Sequence, residues 1–380
     1  FEWGDGRVPT TSDMAVSGAV ASKSHTWDNA GSYQVKVKAI DSHGAFSEWS
    51  DPLTVTINNP VILIYGIFGE VDSLNPIAYE LIKEGIVSLK FDFAPDGKET
   101  ACGDIRSYAR QLDGFIEEQK KTNKIKKFDI VAHSMGGLIS RWYIEKMSGT
   151  DHIDKLIMLG TPNHGSYLCD TPGIYLNDLA GQSTFGGYRP PLYYIIYGIK
   201  TKNVLHVPPA AEDMKHNSYF LDSLGYDGRT NYHIIAGTKP HSLEMKLGSE
   251  AIRDEQVGRG LQPTLNDGAV AVEDVSLKNA ASTDYFEIDH LEELSLKQDG
   301  DDFSDEIDKI IYILEGSSSQ SATKENSIFS NAANETPVQS LPTIEDTIYP
   351  SDEKYHDINI SFAQYAQIYL LGQEGNLSLN

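Results

Sequence analysis

Positive charge is what this chain lacks most. Its 31 Lys and Arg are outnumbered by 55 Asp and Glu, a formal net charge of −24 at pH 7 over 380 residues. Such a surface repels nucleic-acid phosphates and anionic lipid headgroups at long range, so nucleic acid is not an expected partner. Cysteine is nearly absent. Cys102 and Cys169 allow at most one disulfide, two unrelated thiols fit as well, and no Cys/His cluster has zinc-finger spacing. Long apolar runs are missing too. No segment approaches the roughly 18 to 20 uncharged apolar residues of a membrane helix, and the N-terminus lacks the basic, apolar and small-residue order of a signal peptide. What is there is a chain that folds: hydrophobic residues make up 40%, with 20 Tyr, 13 Phe and 4 Trp, and the length allows more than one core.

Residues 1–57 read as all β, because the short alternating runs SYQVKVKAID and DPLTVTI are separated by Gly, Asp, Asn and Ser turn signals. At Asn58-Asn59-Pro60 the pattern changes. VILIYGIF (61–68) is a nearly continuous apolar run, as a parallel strand buried on both faces requires. Helix-like and strand-like segments then alternate through IAYELIKEG, VSLKFDF, an amphipathic stretch at 105–121, KKFDIVAHS, GGLISRWYIEKM and IDKLIMLGTP. They resume with YHIIAGT (232–238) and DYFEID (284–289) and close on a helix over DFSDEIDKIIYILEG. This order predicts an α/β domain at 60–315 built on a doubly wound, mostly parallel sheet with right-handed crossovers. Residues 316–345 shift to Ser, Thr and Asn and read as a linker, and 346–380 read as the start of a further β-sandwich carrying two of three N-x-S/T sites, Asn359 and Asn376, the third being Asn334 in the linker.

The chemistry-bearing segment is IVAHSMGG at 130–137, set between an apolar strand and an amphipathic helix. A strand that turns into a helix within about two residues needs small residues two before and two after the turn, and Ala132 and Gly136 meet that need. Ser134 is then the expected nucleophile, and the N–H of Met135 at the helix start is an expected oxyanion donor. Gly66 lets the chain turn sharply at the end of an earlier strand, which offers the N–H of Ile67 or Phe68 as the second donor. A serine needs a base and the base an orienting carboxylate. His290 follows the strand YFEID on a loop at the carboxyl edge of the sheet, whereas His233 lies inside a strand, His356 beyond the linker, and His164 before any suitable acid. Asp267, in the Asn-Asp-Gly turn of NDGAVAVED, is the expected acid, with Asp274 and Glu273 as fallbacks and Asp289 expected as a surface neighbour of the base.

Two resemblances follow from these motifs. FEWGDG (1–6), SHTWDNAGSYQVKVKAID (24–41) and the strand at 53–57 resemble the PKD family of extracellular immunoglobulin-like modules. In that family strands precede the WGDG turn, so the resemblance implies a piece of a longer chain and a spacer or weak adhesion role, with cell-surface or polysaccharide contact. AHSMGG, LGTPNHGS, the segment at 209–224, NDGAVAVED and DHLEEL together resemble the lipase branch of the α/β-hydrolases, over about 60–315. That branch includes bacterial triacylglycerol lipases, the lecithin cholesterol acyltransferase type and the inositol deacylases of GPI anchors. The resemblance implies Ser134 as nucleophile, Asp267 as acid, His290 as base and Ile67 with Met135 as oxyanion donors. Two positions depart from its pattern, Ala132 for the usual first Gly of the elbow and Tyr65 where related lipases carry His.

The expectation is an exported serine ester hydrolase acting on esters, lipid esters among them, with acyl transfer to an alcohol or attack on an amide as alternatives on the same residues. A non-catalytic cell-surface adhesion protein is the alternative from another class. No organic cofactor is implied, and although the acidic composition would permit structural calcium, no segment has the spacing of a calcium loop. The insertion at 170–225, rich in Gly, Pro and Tyr, has the length of a lid, with Tyr193, Tyr194 and Ile195 expected to cover an acyl chain; a buried helix over the sheet edge is the other reading.

Overall fold

The computed structural model describes residues 1–16, 19–94, 101–123, 125–170, 208–294 and 304–316, and three strands at 344–346, 356–361 and 365–370. The chain divides into two compact units, one made of Phe1–Asn59, Gly85–Val87 and Ser319–Asn380, the other of Pro60–Glu84 and Ser88–Ser318. In the first unit β1 (Ala21–Thr26), β2 (Gly31–Val35) and β3 (Leu53–Ile57) show the alternating burial that their sequences predict. β2 and β3 pair antiparallel, Gly31 opposite Ile57. Their inward residues Val35, Val55 and Ile57 close on Trp3 and Trp27 to form a small core. The indole N–H of Trp27 donates to the Trp3 carbonyl at 3.0 Å, so that ring is buried without a stranded donor. Gly4, in the WGDG turn, has φ +75, and a Cβ there would meet the Gln34 backbone nitrogen at 2.6 Å, which only glycine tolerates.

The second unit is organised by a six-stranded sheet of β4 (Val61–Ile64), β5 (Ser88–Lys90), β6 (Phe128–His133), β7 (Ile153–Leu159), β8 (Asn231–Gly237) and β9 (Ser282–Phe286). Its order is β5-β4-β6-β7-β8-β9 and every pairing is parallel. All residues of β4 and β6 are buried, which explains their lack of alternation. The first helix, α1 (Asn75–Lys83), starts with Pro at its first turn and buries Ile77, Ala78 and Leu81. The second, α2 (Ile105–Asn123), buries Ile105, Tyr108, Ala109, Leu112 and Ile116, the three-and-four spacing of one helical face. Each of the isoleucine and leucine side chains contributes roughly 1.5–3 kcal/mol on burial. α2 packs on α3 (Met135–Lys146), whereas α1 packs on the helix Ser304–Glu315. The chain runs outward from β4 to β5 and then returns past β4 to β6, so right-handed crossovers wind in opposite directions from this point. The carboxyl ends of β4 and β6 flank that reversal, where open α/β sheets place their ligands.

Three further strands complete the first unit: β10 (Ile344–Asp346), β11 (His356–Ser361) and β12 (Tyr365–Leu370). They join β1 in one antiparallel sheet of order β1-β12-β11-β10, with Ala21 opposite Leu370. Sequence pattern places 1–57 and 346–380 in separate modules; in the structure β1 takes its partner from the other end of the chain.

Candidate active site

Ser134 stands between β6 and α3 with φ 52 and ψ −125, a conformation that a non-glycine residue adopts only under local constraint. The constraint is visible around it. The Ser134 N–H donates to the Leu159 carbonyl at 2.8 Å, and Thr161 Oγ1 donates to the Ser134 carbonyl at 3.0 Å, tying the turn to the end of β7. A Cβ at Gly136 would lie 2.6 Å from the carbonyl oxygens of Ile64 and Tyr65, so α3 can start against β4 only with glycine there. A Cβ at Gly66 would lie 2.8 Å from the Ser134 Cβ, which puts the β4 loop directly against the serine.

That closeness bears on the two expected oxyanion donors. Met135 is the first residue of α3, and its N–H has no intrahelical acceptor. In the β4 loop Phe68 adopts φ 57 and its N–H is given to the Ala101 carbonyl at 3.4 Å, while the N–H of Ile67 makes no hydrogen bond among the described residues. Tyr65 stacks on Phe93 and donates its hydroxyl to Asp92 Oδ1 at 2.8 Å, so it anchors the loop to the β5 side. Burial, then the Asp92 bond and charge, raises the Tyr65 hydroxyl pKa.

His290 is buried beside this turn. Its Nδ1–H donates to Asp267 Oδ2 at 2.7 Å, and Asp267 Oδ1 accepts the N–H groups of Ala269 and Val270, both at 2.7 Å. The His290 N–H also donates to the Asp267 carbonyl at 3.0 Å, so backbone and side chain fix the pair in one geometry. His290 Nε2 makes no hydrogen bond among the described residues. His133, next to Ser134 in sequence, donates from Nε2 to the His290 carbonyl at 2.8 Å, which docks the His290 loop onto the strand that leads to Ser134. Burial, then the His290 charge, holds His133 well below the usual imidazole range, so it is neutral.

Glu293 completes this cluster. Its Oε1 accepts the Gly237 N–H at 2.7 Å, and its Oε2 lies 3.4 Å from His290 Nδ1 and 3.6 Å from His133 Nε2. Burial, then the Asp267 charge, pushes the Glu293 carboxyl up to about 7. Burial alone would lower His290, but the Asp267 charge and hydrogen bond, followed by Glu293, outweigh it and raise its affinity for a proton. His133, His290 and Glu293 each offer a ligand atom within 4.8 Å of the others. His133 Nε2 and His290 Nδ1 are already committed as hydrogen-bond donors, so we read the trio as a hydrogen-bonded cluster and not a metal centre. Neither His133 nor Glu293 stands out in the sequence. One precedes the serine where bases are not sought, and the other sits in the acidic doublet of DHLEEL; its spacing of three from His290 was the available signal.

The fallback acids are occupied elsewhere. Asp274 Oδ1 accepts from His216 Nε2 at 3.1 Å, and Glu273 Oε1 accepts from Tyr167 and Gln256. Asp289 is not the surface neighbour expected from sequence but is fully buried. Its oxygens accept the N–H groups of His241, Ser242, Leu291 and Glu292, which satisfy the charge and shape the turn after β9. His164 bridges to the Asp274 and Ser276 carbonyls, and His233 lies in β8 beside Ser282. Cys102 and Cys169 are not bridged. Most of the 170–225 insertion, including Tyr193, Tyr194 and Ile195, lies outside the described residues.

A family model described as palmitoyl protein thioesterase matches residues 60–221. Among solved structures, the chain is similar to the lipase BlEst2 of Bacillus licheniformis in its mature form, at 21% identity over 63% of this chain and 87% of that one, with a TM-score of 0.45. The propeptide form of the same lipase aligns at 19% identity with a TM-score of 0.48, over 86% of this chain but only 57% of the other. Phospholipase PlaB of Legionella pneumophila aligns at 16% identity over 58% and 45% of the two chains, with a TM-score of 0.39. The parallel six-stranded sheet with its helices fits the α/β-hydrolase fold.

Proposed function

We propose that this α/β-hydrolase cleaves carboxylic esters, thioesters included, through a covalent acyl-enzyme formed on Ser134. The observation that carries the reading is the meeting of a constrained serine, at φ 52, with a buried His290–Asp267 pair docked beside it through His133. Ser134 Oγ attacks the acyl carbon while His290 Nε2 takes its proton. Asp267 holds the Nδ1–H tautomer and stabilises the imidazolium that forms. The oxygen of the tetrahedral intermediate is received by the N–H groups of Ile67 and Met135, each worth about 10²–10³ in kcat in comparable sites. The alcohol or thiol leaves with the proton from His290, and water repeats the sequence in reverse to release the acid. The family match supports extending the leaving group from alcohols to thiols, because a thiolate leaves more readily from the same intermediate. Lipid acyl chains are the proposed substrates, and the PKD-like residues at the N-terminus support an exported or cell-surface setting.

The test is fluorophosphonate labelling of the chain beside Ser134→Ala, with peptide mapping, followed by turnover of p-nitrophenyl esters and S-acyl thioesters of increasing chain length. Labelling at Ser134 that the variant lacks, with turnover of either substrate, is the expected result. A folded chain that takes up no label and turns over neither substrate would refute the reading. Product in which the acyl group has moved to an added alcohol would redirect it to acyl transfer.

A further inference from the structure

His290 faces two carboxylates where one suffices. Asp267 already fixes the ring: one of its oxygens takes the imidazole proton and the other is held by two backbone N–H groups. Glu293 adds a second buried carboxylate on the same edge of the ring, with Oε1 bound to Gly237 and Oε2 left without a hydrogen-bond partner among the described residues. An unpartnered carboxylate oxygen in the interior is costly and calls for a role. We propose that Glu293 is a positioning residue for the base, its carboxyl group setting how readily His290 accepts the proton of Ser134. The inference rests on the reading of Ser134, His290 and Asp267 given above.

The surroundings make the effect specific. The groups facing Glu293 are Asp267 from the loop before the turn Val272–Val275, His290 and Glu292 from its own turn, His133 from β6, and Glu306 from the helix Ser304–Glu315. His133 is neutral. Glu306 is buried with neither oxygen hydrogen-bonded among the described residues, and burial, then Glu293 and Glu292, pushes its carboxyl well above the usual range, which favours the protonated form. Glu292 is bound by His241 and by the Asp289 N–H. Among the described residues, the charges that act on Glu293 are those of Asp267 and His290. An ionised Glu293 stabilises the imidazolium and delays its loss of a proton as pH rises. A protonated Glu293 leaves Asp267 as the only anion on the ring, and His290 becomes a free base at lower pH. The second carboxylate thus couples the working range of the base to its own protonation.

Glu293→Gln separates this role from a structural one, because glutamine keeps an oxygen for the Gly237 N–H and nearly the same shape while removing the charge. Two readouts are followed from about pH 5 to 11, because burial, which lowers the His290 ring, is outweighed by Asp267 and Glu293, which raise it to about 10. One is the NMR titration of the His290 ring and the other is the rate of fluorophosphonate labelling at Ser134. In Glu293→Gln the His290 titration and the acid limb of labelling are expected to move down by about one unit or more. A folded variant whose His290 titrates as in the wild type would overturn the inference. Should the variant not fold, the wild-type ring decides. Two inflections in the His290 titration support coupling to a neighbouring carboxyl, and one inflection refutes it. Absence of label at Ser134 in the wild type would instead refute the serine-hydrolase reading, and the ring titration would still decide the part played by Glu293.

Discussion

Two histidines in this unit each face two carboxylates, and the outcome differs. His216 gives Nδ1 to Asp170 Oδ2 at 2.6 Å and Nε2 to Asp274 Oδ1 at 3.1 Å, so both nitrogens are spent. Burial would lower it, but the hydrogen bonds to Asp170 and Asp274 and their charges raise it to about 9. It is a cationic pin between two acids. His290 has both carboxylates on its Nδ1 edge, which leaves Nε2 unbonded among the described residues. A histidine between two carboxylates makes a structural cross-link in one place and is the proposed general base in the other, and the difference lies in which edge of the ring the acids occupy.

The largest effect should come from removing the base. His290→Ala is expected to lower ester turnover by about 10⁴-fold or more, whereas His216→Gln should leave kcat of the folded protein within about tenfold of wild type, as expected for a residue outside the chemistry. Equal losses in the two variants, measured on the same ester, would break the comparison. Asp267→Asn comes next. Its amide can present an N–H to Nδ1 and favour the wrong tautomer, so a loss of up to about 10⁴ in kcat is expected, with little change in melting temperature.

The contrast in stability runs the other way. His216→Gln should destabilise the fold by about 2–3 kcal/mol near pH 6, below the figure for a fully buried pair because the side chain keeps 15% of its exposure. The sign follows from linkage. The folded pKa of about 9 lies above the ordinary imidazole value of 6.5, so the contribution is complete below 6.5 and fades as pH rises through 9. Denaturant titrations of both proteins at about pH 6 and pH 10 should therefore show the gap narrowing in base. The smallest effect belongs to His241, whose ring donates to Glu292 at 2.6 Å with 31% of its side chain exposed. His241→Gln should cost no more than about 1 kcal/mol, and a cost equal to that of His216→Gln would show that burial is not what separates them.

Much of the sheet and its serine turn was legible in the residues. VILI and FDIVAH announce strands buried on both faces, and Ala132, Gly136 and Gly66 mark where the backbone must pass closely. The order Ser134, Asp267, His290 and the edge of the sheet to which each belongs follow from the alternation of strands and helices. Asp289 and Glu293 were not legible, because acidic residues in DHLEEL carry no local sign of burial; backbone N–H groups of His241, Ser242 and Gly237, from other segments, bind them. The pairing of β1 with β12 was equally hidden, since two alternating strands name neither their partner nor their register.

The sequence by itself determined the elements whose cause is local. Apolar continuity makes buried parallel strands, small residues permit the abrupt passage from β6 to α3, and the scarcity of Lys and Arg sets the repulsive field. Only the tertiary structure decided which acids meet which histidines. His290 and Asp267 lie 23 positions apart, and His216 lies 46 and 58 positions from its two acids. Hydrogen bonds and buried charges act over a few ångströms of space, and the fold alone converts those separations into contact and chooses the edge of each ring that is used.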